Sequence, residues 1–148
     1  MRTYHLYLID SDIAKAYFGR EAKLFDLFSR FACSCSLSEK KILYKQIKFI
    51  TKPLQMLKLN HRIEQKLKHN PYYIQEQAAH ILRIPSSEEF GTLTIKSQYA
   101  RIDTNKSFEI ETTFFEILRR EEATLLAMDY KANRYGWLNP IKQERKYV

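Results

Sequence analysis

Alternation and helical spacing of apolar residues divide the chain into short elements. Thr3 to Ile9 is rich in β-favouring Tyr, Leu and Ile and predicts a first strand. Asp10 and Ser11 then offer N-cap oxygens to a short helix ending near Gly19, a C-cap candidate. From Arg20 to about Cys33 the residues Leu24, Phe25, Phe28, Phe31 and Ala32 recur at i, i+3, i+4 and i+7, the stripe of a helix facing a core. Ser36-Leu37-Ser38-Glu39 has the form of a capping box, with Ser36 accepting from the Glu39 amide and Glu39 reaching back. It opens a third helix running to about Thr51, and Pro53 marks its end. Leu54 to Lys68 predicts a basic helix with Leu57, Ile63 and Leu67 inward, stopped by Asn70-Pro71.

Residues 72–85 fit helix or strand equally well, but beyond them the pattern turns to strands. Thr92–Ile95 and Tyr99–Asp103 predict two, and Phe108 and Ile110 alternate with polar residues in a third. Thr113-Phe114-Phe115-Glu116 is a second capping box, opening a helix to Arg120. Thr124–Asp129 and Arg134–Leu138 predict two last strands joined by Lys131-Ala132-Asn133. The fold class expected is α+β: one domain over 1–148, a mixed or antiparallel sheet packed against several helices. Its N-terminal half is mostly helical and its C-terminal half strand-rich. No repeat or linker divides it.

Composition adds little to this picture until charge is divided along the chain. With 45% hydrophobic and 28% charged residues the chain suits an ordinary globular domain. No apolar run approaches a membrane span, and the N-terminus lacks the apolar stretch of a secretory signal, so a cytoplasmic protein is expected. The net charge of +8 is uneven. Between residues 39 and 70 there are 9 Lys/Arg against 2 Asp/Glu, whereas 71–148 holds 11 of each. That local excess suits an acidic partner, or a solvated lysine face.

Catalytic and metal chemistry have no visible motif. The three glycines, Gly19, Gly91 and Gly136, form no phosphate-cradling pattern, and there is no Gly-x-Ser-x-Gly elbow. Cys33 and Cys35 read as reduced thiols, and His5, His61, His69 and His80 as surface or helix-end residues. The carboxylate pairs Asp10/Asp12, Glu88/Glu89 and Glu121/Glu122 are explained by capping and solvation. No enzyme, metal, cofactor or small-molecule substrate is expected.

The third helix carries more apolar surface than one core-facing stripe needs. Leu43, Ile47 and Ile50 form one stripe; Ile42, Gln46 and Phe49 form a second about 110° away, flanked by Lys45. In the first helix Ala14 pairs with Phe18, and Ile13 with Tyr17 beside it, so an inward Phe18 would set Ile13 and Tyr17 at the margin. A helix lying between a sheet and another helix buries a wide arc and explains both patterns. A partner-binding patch of aromatic anchors around Gln46 with a basic rim explains them equally.

Several stretches resemble the SirA family. They are Tyr7-Leu8-Ile9, Tyr17-Phe18-Gly19-Arg20-Glu21, Lys45-Gln46-Ile47 with Ile50-Thr51, and Glu111-Thr112 with Phe114-Phe115-Glu116. Further on come Leu118-Arg119, Leu126-Ala127-Met128-Asp129 and the most specific run, Arg134-Tyr135-Gly136-Trp137-Leu138-Asn139-Pro140. In that run Gly136 would allow close backbone packing, with Tyr135 and Trp137 alternating across a strand. The resemblance implies an inhibitor of chromosome replication initiation during sporulation that binds domain I of the initiator DnaA, and not DNA, by stoichiometric occlusion. It implies a contact surface of Tyr17 and Gln46, with Ile13 and Phe49 at positions where a relative has Phe and Tyr. Ile42 and Lys45 lie beside that surface. The alternative from charge alone is a small nucleic-acid-binding protein using the lysines of 39–70.

Overall fold

The elements follow in the order β1 (Arg2–Ile9), α1 (Ser11–Ala16), α2 (Glu21–Cys33), α3 (Leu37–Ile50), β2 (Thr51–Lys52), α4 (Met56–Leu67), β3 (Tyr73–Glu76), β4 (Ala79–Ile84), β5 (Glu89–Ile95), β6 (Ala100–Thr104), α5 (Phe108–Glu121), β7 (Leu125–Asp129) and β8 (Arg134–Trp137). They come from a computed structural model that describes residues 1–141. The strands form one antiparallel sheet in the order β3-β4-β5-β6-β1-β7-β8. The short β2 pairs with the end of β1, Leu8 opposite Lys52 and Ile9 opposite Thr51, beyond the point where β6 leaves it.

Successive side chains of a strand point to opposite faces, and in β1 both sets are apolar. Leu6 and Leu8 join a core on the first face, built with Leu59, Ile63 and Leu67 of α4 and Ile110, Phe114 and Leu118 of α5. Tyr7 and Ile9 join a core on the second face, with Ala14 of α1, Leu24 and Phe28 of α2 and Ile47 of α3. β7 splits the same way, Leu125 and Ala127 to the first core, Leu126 and Met128 to the second. Burial on the second face leaves the Tyr7 hydroxyl short of water and pushes its pKa up to about 12.

Close packing of α5 on the sheet depends on Gly91. A Cβ at this buried strand position would stand 2.6 Å from Ile110 Cγ2. The same helix is anchored by Glu111, which is 3% exposed. Its carboxylate accepts from Arg2 Nη1 at 2.8 Å and from the Thr104 hydroxyl at 2.5 Å, tying α5 to β1 and β6.

Several elements depart from what the sequence pattern predicts. Phe108 and Ile110 are not a strand: Ser107 accepts from the Ile110 amide and opens α5 nearly two turns before Thr113. Thr113 therefore lies inside the helix, donating to the Glu109 carbonyl. Residues 73–84 are the β3–β4 hairpin. In α4 Leu59 is buried and Leu57 is 89% exposed. The reason is that Leu59, Ile63 and Leu67 share an i, i+4 row while Leu57 stands about 200° round the helix from Leu59. Ala32 is exposed. Tyr17, not Gly19, is the C-cap of α1; Gly19, at φ +80, turns the chain between α1 and α2. Nothing lies within 4 Å of a Cβ built on Gly136, so close packing is not its role. Its neighbours share one side of β8 and both reach α2: Tyr135 stacks on Phe25 at 4.8 Å and Trp137 Nε1 donates to Glu21 at 3.2 Å.

Neither His5, which is half-buried, nor His80 is exposed. His5 stacks on Tyr130 at 5.2 Å, and His80 is fully buried on the first face. A neutral His80 with Nε2–H donating to Asn60 Oδ1 at 2.8 Å and Nδ1 accepting from the Tyr73 hydroxyl at 2.7 Å satisfies both ring nitrogens.

Two outcomes follow. Glu111→Ala leaves the Thr104 hydroxyl buried without its acceptor and frees Arg2; we expect a loss of about 2 kcal/mol. Differential scanning calorimetry should then show Tm lower by about 4–8 °C. Desolvation lowers the pKa of both His80 and His5 below 6.5. The unfolded chain then binds more protons than the folded one as pH falls below that value, so folding stability declines there and is flat above it. Urea midpoints measured from pH 8 to pH 5 should follow this course, with a shallower decline in His80→Gln.

Candidate functional site

The helix α3 is fixed at both ends by side chains. Ser36 accepts from the Glu39 amide at 3.4 Å, and the Thr51 hydroxyl donates to the Ile47 carbonyl at 2.7 Å. The Glu39 carboxylate is engaged elsewhere than a reciprocal capping box requires: it accepts from the Ser34 hydroxyl at 3.4 Å and lies 3.8 Å from Arg30. Leu43 and Ile47 are buried, with Ile50 half-buried beside them. This is the core stripe.

The second stripe faces solvent. Ile42 is 60% exposed and Phe49 81%, and Lys45 and Gln46 are exposed between them. At about 100° per residue, Phe49 and Gln46 lie within about 40° of Ile42, whereas Tyr44 lies about 160° away. Tyr44 is the side that α2 takes: its ring is 6.2 Å from Phe31, and Lys40 sits over the Phe31 ring at 5.9 Å. The helix therefore has the sheet beneath it, α2 on one flank and an open apolar stripe on the other. Lys41, Lys45 and Lys48, all exposed, border that stripe along one edge.

The first helix meets α3 at its C-terminal end. Asp10, whose carboxylate accepts from the Asp12 amide to cap α1, donates its own amide to the Ile50 carbonyl at 2.8 Å. Lys52 approaches the Asp10 carboxylate at 3.8 Å. Ala14 and Ile47 are buried in the same core, and Ile13 and Tyr17 are half-buried on its margin with Ile50. Arg20 covers the Tyr17 ring at 5.3 Å. Phe18, the i+4 partner of Ala14, is 53% exposed. Ala14 alone holds the inward position, because the helix ends at Ala16 and the chain has left helical geometry before Phe18. Thus Ile13 and Tyr17 are more deeply seated than a free surface pair, while Ile42, Gln46 and Phe49 are fully presented. Phe18 adds a further exposed ring.

This surface offers apolar anchors, one amide able to donate and accept, and a cationic edge. Such a set suits binding to an apolar patch rimmed by carboxylates. Cys33 and Cys35 are exposed free thiols at the α2–α3 turn. Among the described residues no group of His, Cys, Asp or Glu could hold a metal ion, and no helix is long and apolar enough to cross a membrane.

A family model described as sporulation inhibitor of replication protein SirA matches residues 2–142. The chain is 37% identical over 150 residues to the sporulation inhibitor of replication protein SirA of Bacillus subtilis (strain 168), and the match covers 99% of each.

The burial pattern sets an order of stability effects for thermal melts. Gln46→Ala and Phe49→Ala should stay within about 0.5 kcal/mol of the wild type, as exposed substitutions do. Tyr17→Ala should cost about 1 kcal/mol from its half-buried ring, and Leu43→Ala about 2–5 kcal/mol from the cavity it leaves.

Proposed function

This chain belongs to the SirA family of sporulation inhibitors of replication, and on that premise we propose that it blocks initiation of chromosome replication by binding domain I of the initiator DnaA. The observation that carries this reading is the solvent-facing stripe of Ile42, Gln46 and Phe49 on α3, which no element of the fold covers among the described residues. Ile13 and Tyr17 extend it toward α1, and Lys45 stands at its edge. The chain acts in the cytoplasm as one unit over 1–148, and its action is stoichiometric: a domain I held here is withheld from assembly at the origin. No bond is made or broken, so dose is set by mass action.

Direct binding of nucleic acid by the 39–70 segment is the weaker reading. Its Lys and Arg residues do not line one groove, because α3 packs on the second face of the sheet and α4 on the first. A backbone-tracking surface needs cations along one stripe.

Titration calorimetry against isolated DnaA domain I tests the contact surface. Gln46→Ala and Tyr17→Ala should each weaken binding about 30-fold or more, roughly 2 kcal/mol. Both binding as wild type would remove this surface from consideration. Reversal of Lys41 and Lys45 to Glu should slow association while leaving dissociation nearly unchanged, read by stopped flow at low and physiological salt.

A further inference from the structure

At the opposite end of β1 from the α1–α3 surface, about 24 Å along the strand, lies an open crevice of about 790 Å³. Its walls come from the start of β1, β6 and the turn that follows it, and the β7–β8 turn, and Arg2, Arg101, Lys106, Lys131 and Arg134 all line it. One carboxylate, Asp129, lines it with them. Three of the cations are held in place by carboxylates: Arg2 by Glu111 at 2.8 Å, Arg101 by Asp103 at 2.9 Å and Arg134 by Asp129 at 3.1 Å. Each guanidinium spends only part of its five donors on that partner and keeps others for a ligand. Lys106 and Lys131 have no carboxylate partner among the described residues, so positive charge exceeds negative even when all three carboxylates are counted.

We propose that this crevice binds a compact phosphate-bearing anion, a pyrophosphate or the polyphosphate chain of a nucleotide. Its volume is that of a small-ligand site. Cations carried by β1, by β6 and the turn after it, and by the β7–β8 turn line one hollow of limited length, which matches a short chain of charge better than an extended backbone on a ridge. Planar delocalised donors fixed by carboxylates are the geometry that recognises phosphate oxygens with two bonds at once. The Asp129 carboxylate is spent on the turn itself, accepting from Arg134 and from the Ala132 amide at 3.2 Å. His5, stacked on Tyr130, supplies an aromatic wall against which a base could lie.

The full chain, labelled with nitrogen-15, is titrated at about 0.15 M salt with inorganic pyrophosphate, a nucleoside triphosphate and a ten-residue single-stranded oligonucleotide. Expected are saturable amide shifts confined to 1–5, 101–106 and 129–134 with the first two probes. Lys106→Glu with Lys131→Glu should weaken both at least about tenfold, charge-assisted bonds being worth that much each. The neutral pair Lys106→Gln with Lys131→Gln should lose less, and serves if reversal disturbs the turn. Binding to DnaA domain I should be unchanged in all of these variants, which separates this site from the α1–α3 surface. The proposal is overturned by absent or non-saturable shifts, or by undiminished binding in both double variants. An oligonucleotide held more tightly than the triphosphate at equal salt overturns it too.

Discussion

Everything in this fold depends on two neighbouring strands, β1 and β7, that are apolar on both faces. Tyr7 and Ile9 cannot share a core with Leu6 and Leu8, because a strand sends alternate side chains to opposite sides. Helices must therefore be divided between two layers. The chain lays α1, α2 and α3 on one face and then crosses through β2, which pairs with the end of β1, to place α4 and α5 on the other. Strands β4, β5 and β6 are under no such demand. They bury Leu82, Leu93 and Ile102 on the first face, while Arg101, half of the cross-strand pair with Thr94, is exposed on the second.

This division explains why α3 keeps an unpaired apolar stripe. With the sheet beneath it and α2 against Tyr44 and Lys40, its core contacts are complete in Leu43 and Ile47. The remaining flank meets α1 near Ile50, where the Asp10 amide donates to the last carbonyl of the helix. Ile42 and Phe49 thus stay in water at a cost of roughly 25 cal/mol for each Å² of apolar surface left uncovered. A surface kept apolar by a helix that is otherwise well seated is what a partner-binding face requires.

Charge is distributed by the fold in a way that counting along the chain does not anticipate. The basic segment 39–70 is parted by the sheet, whereas the stretch with as many acids as bases supplies four of the five cations of the crevice. Buried Glu111 serves both ends of this arrangement, because it holds α5 to the sheet and at the same time fixes Arg2 at the rim. Stability and surface electrostatics are coupled through that one carboxylate.

Read without coordinates, the chain already determined its class, most of its helices and strands, and the two stripes of α3, since these rest on local periodicity and caps such as Asp10 and Ser36. Membership of a family was also legible, in the run Arg134 to Pro140. Whether the second stripe would be buried as well was not legible, because periodicity records that two faces are apolar and says nothing of how many neighbours a helix will have. For the same reason Leu57 reads as inward yet stands in solvent, while His80 reads as a surface residue yet is enclosed by Tyr73 and Asn60. Phe108 and Ile110 fit alternation as well as the first turn of a helix, and only the Ser107 cap and the packing of Ile110 on Gly91 decided between them. The crevice joins residues about a hundred positions apart, Arg2 with Arg101 and Arg134. Antiparallel pairing of β1 with β6 and β7 brings them together, and that register is set by packing of both faces at once.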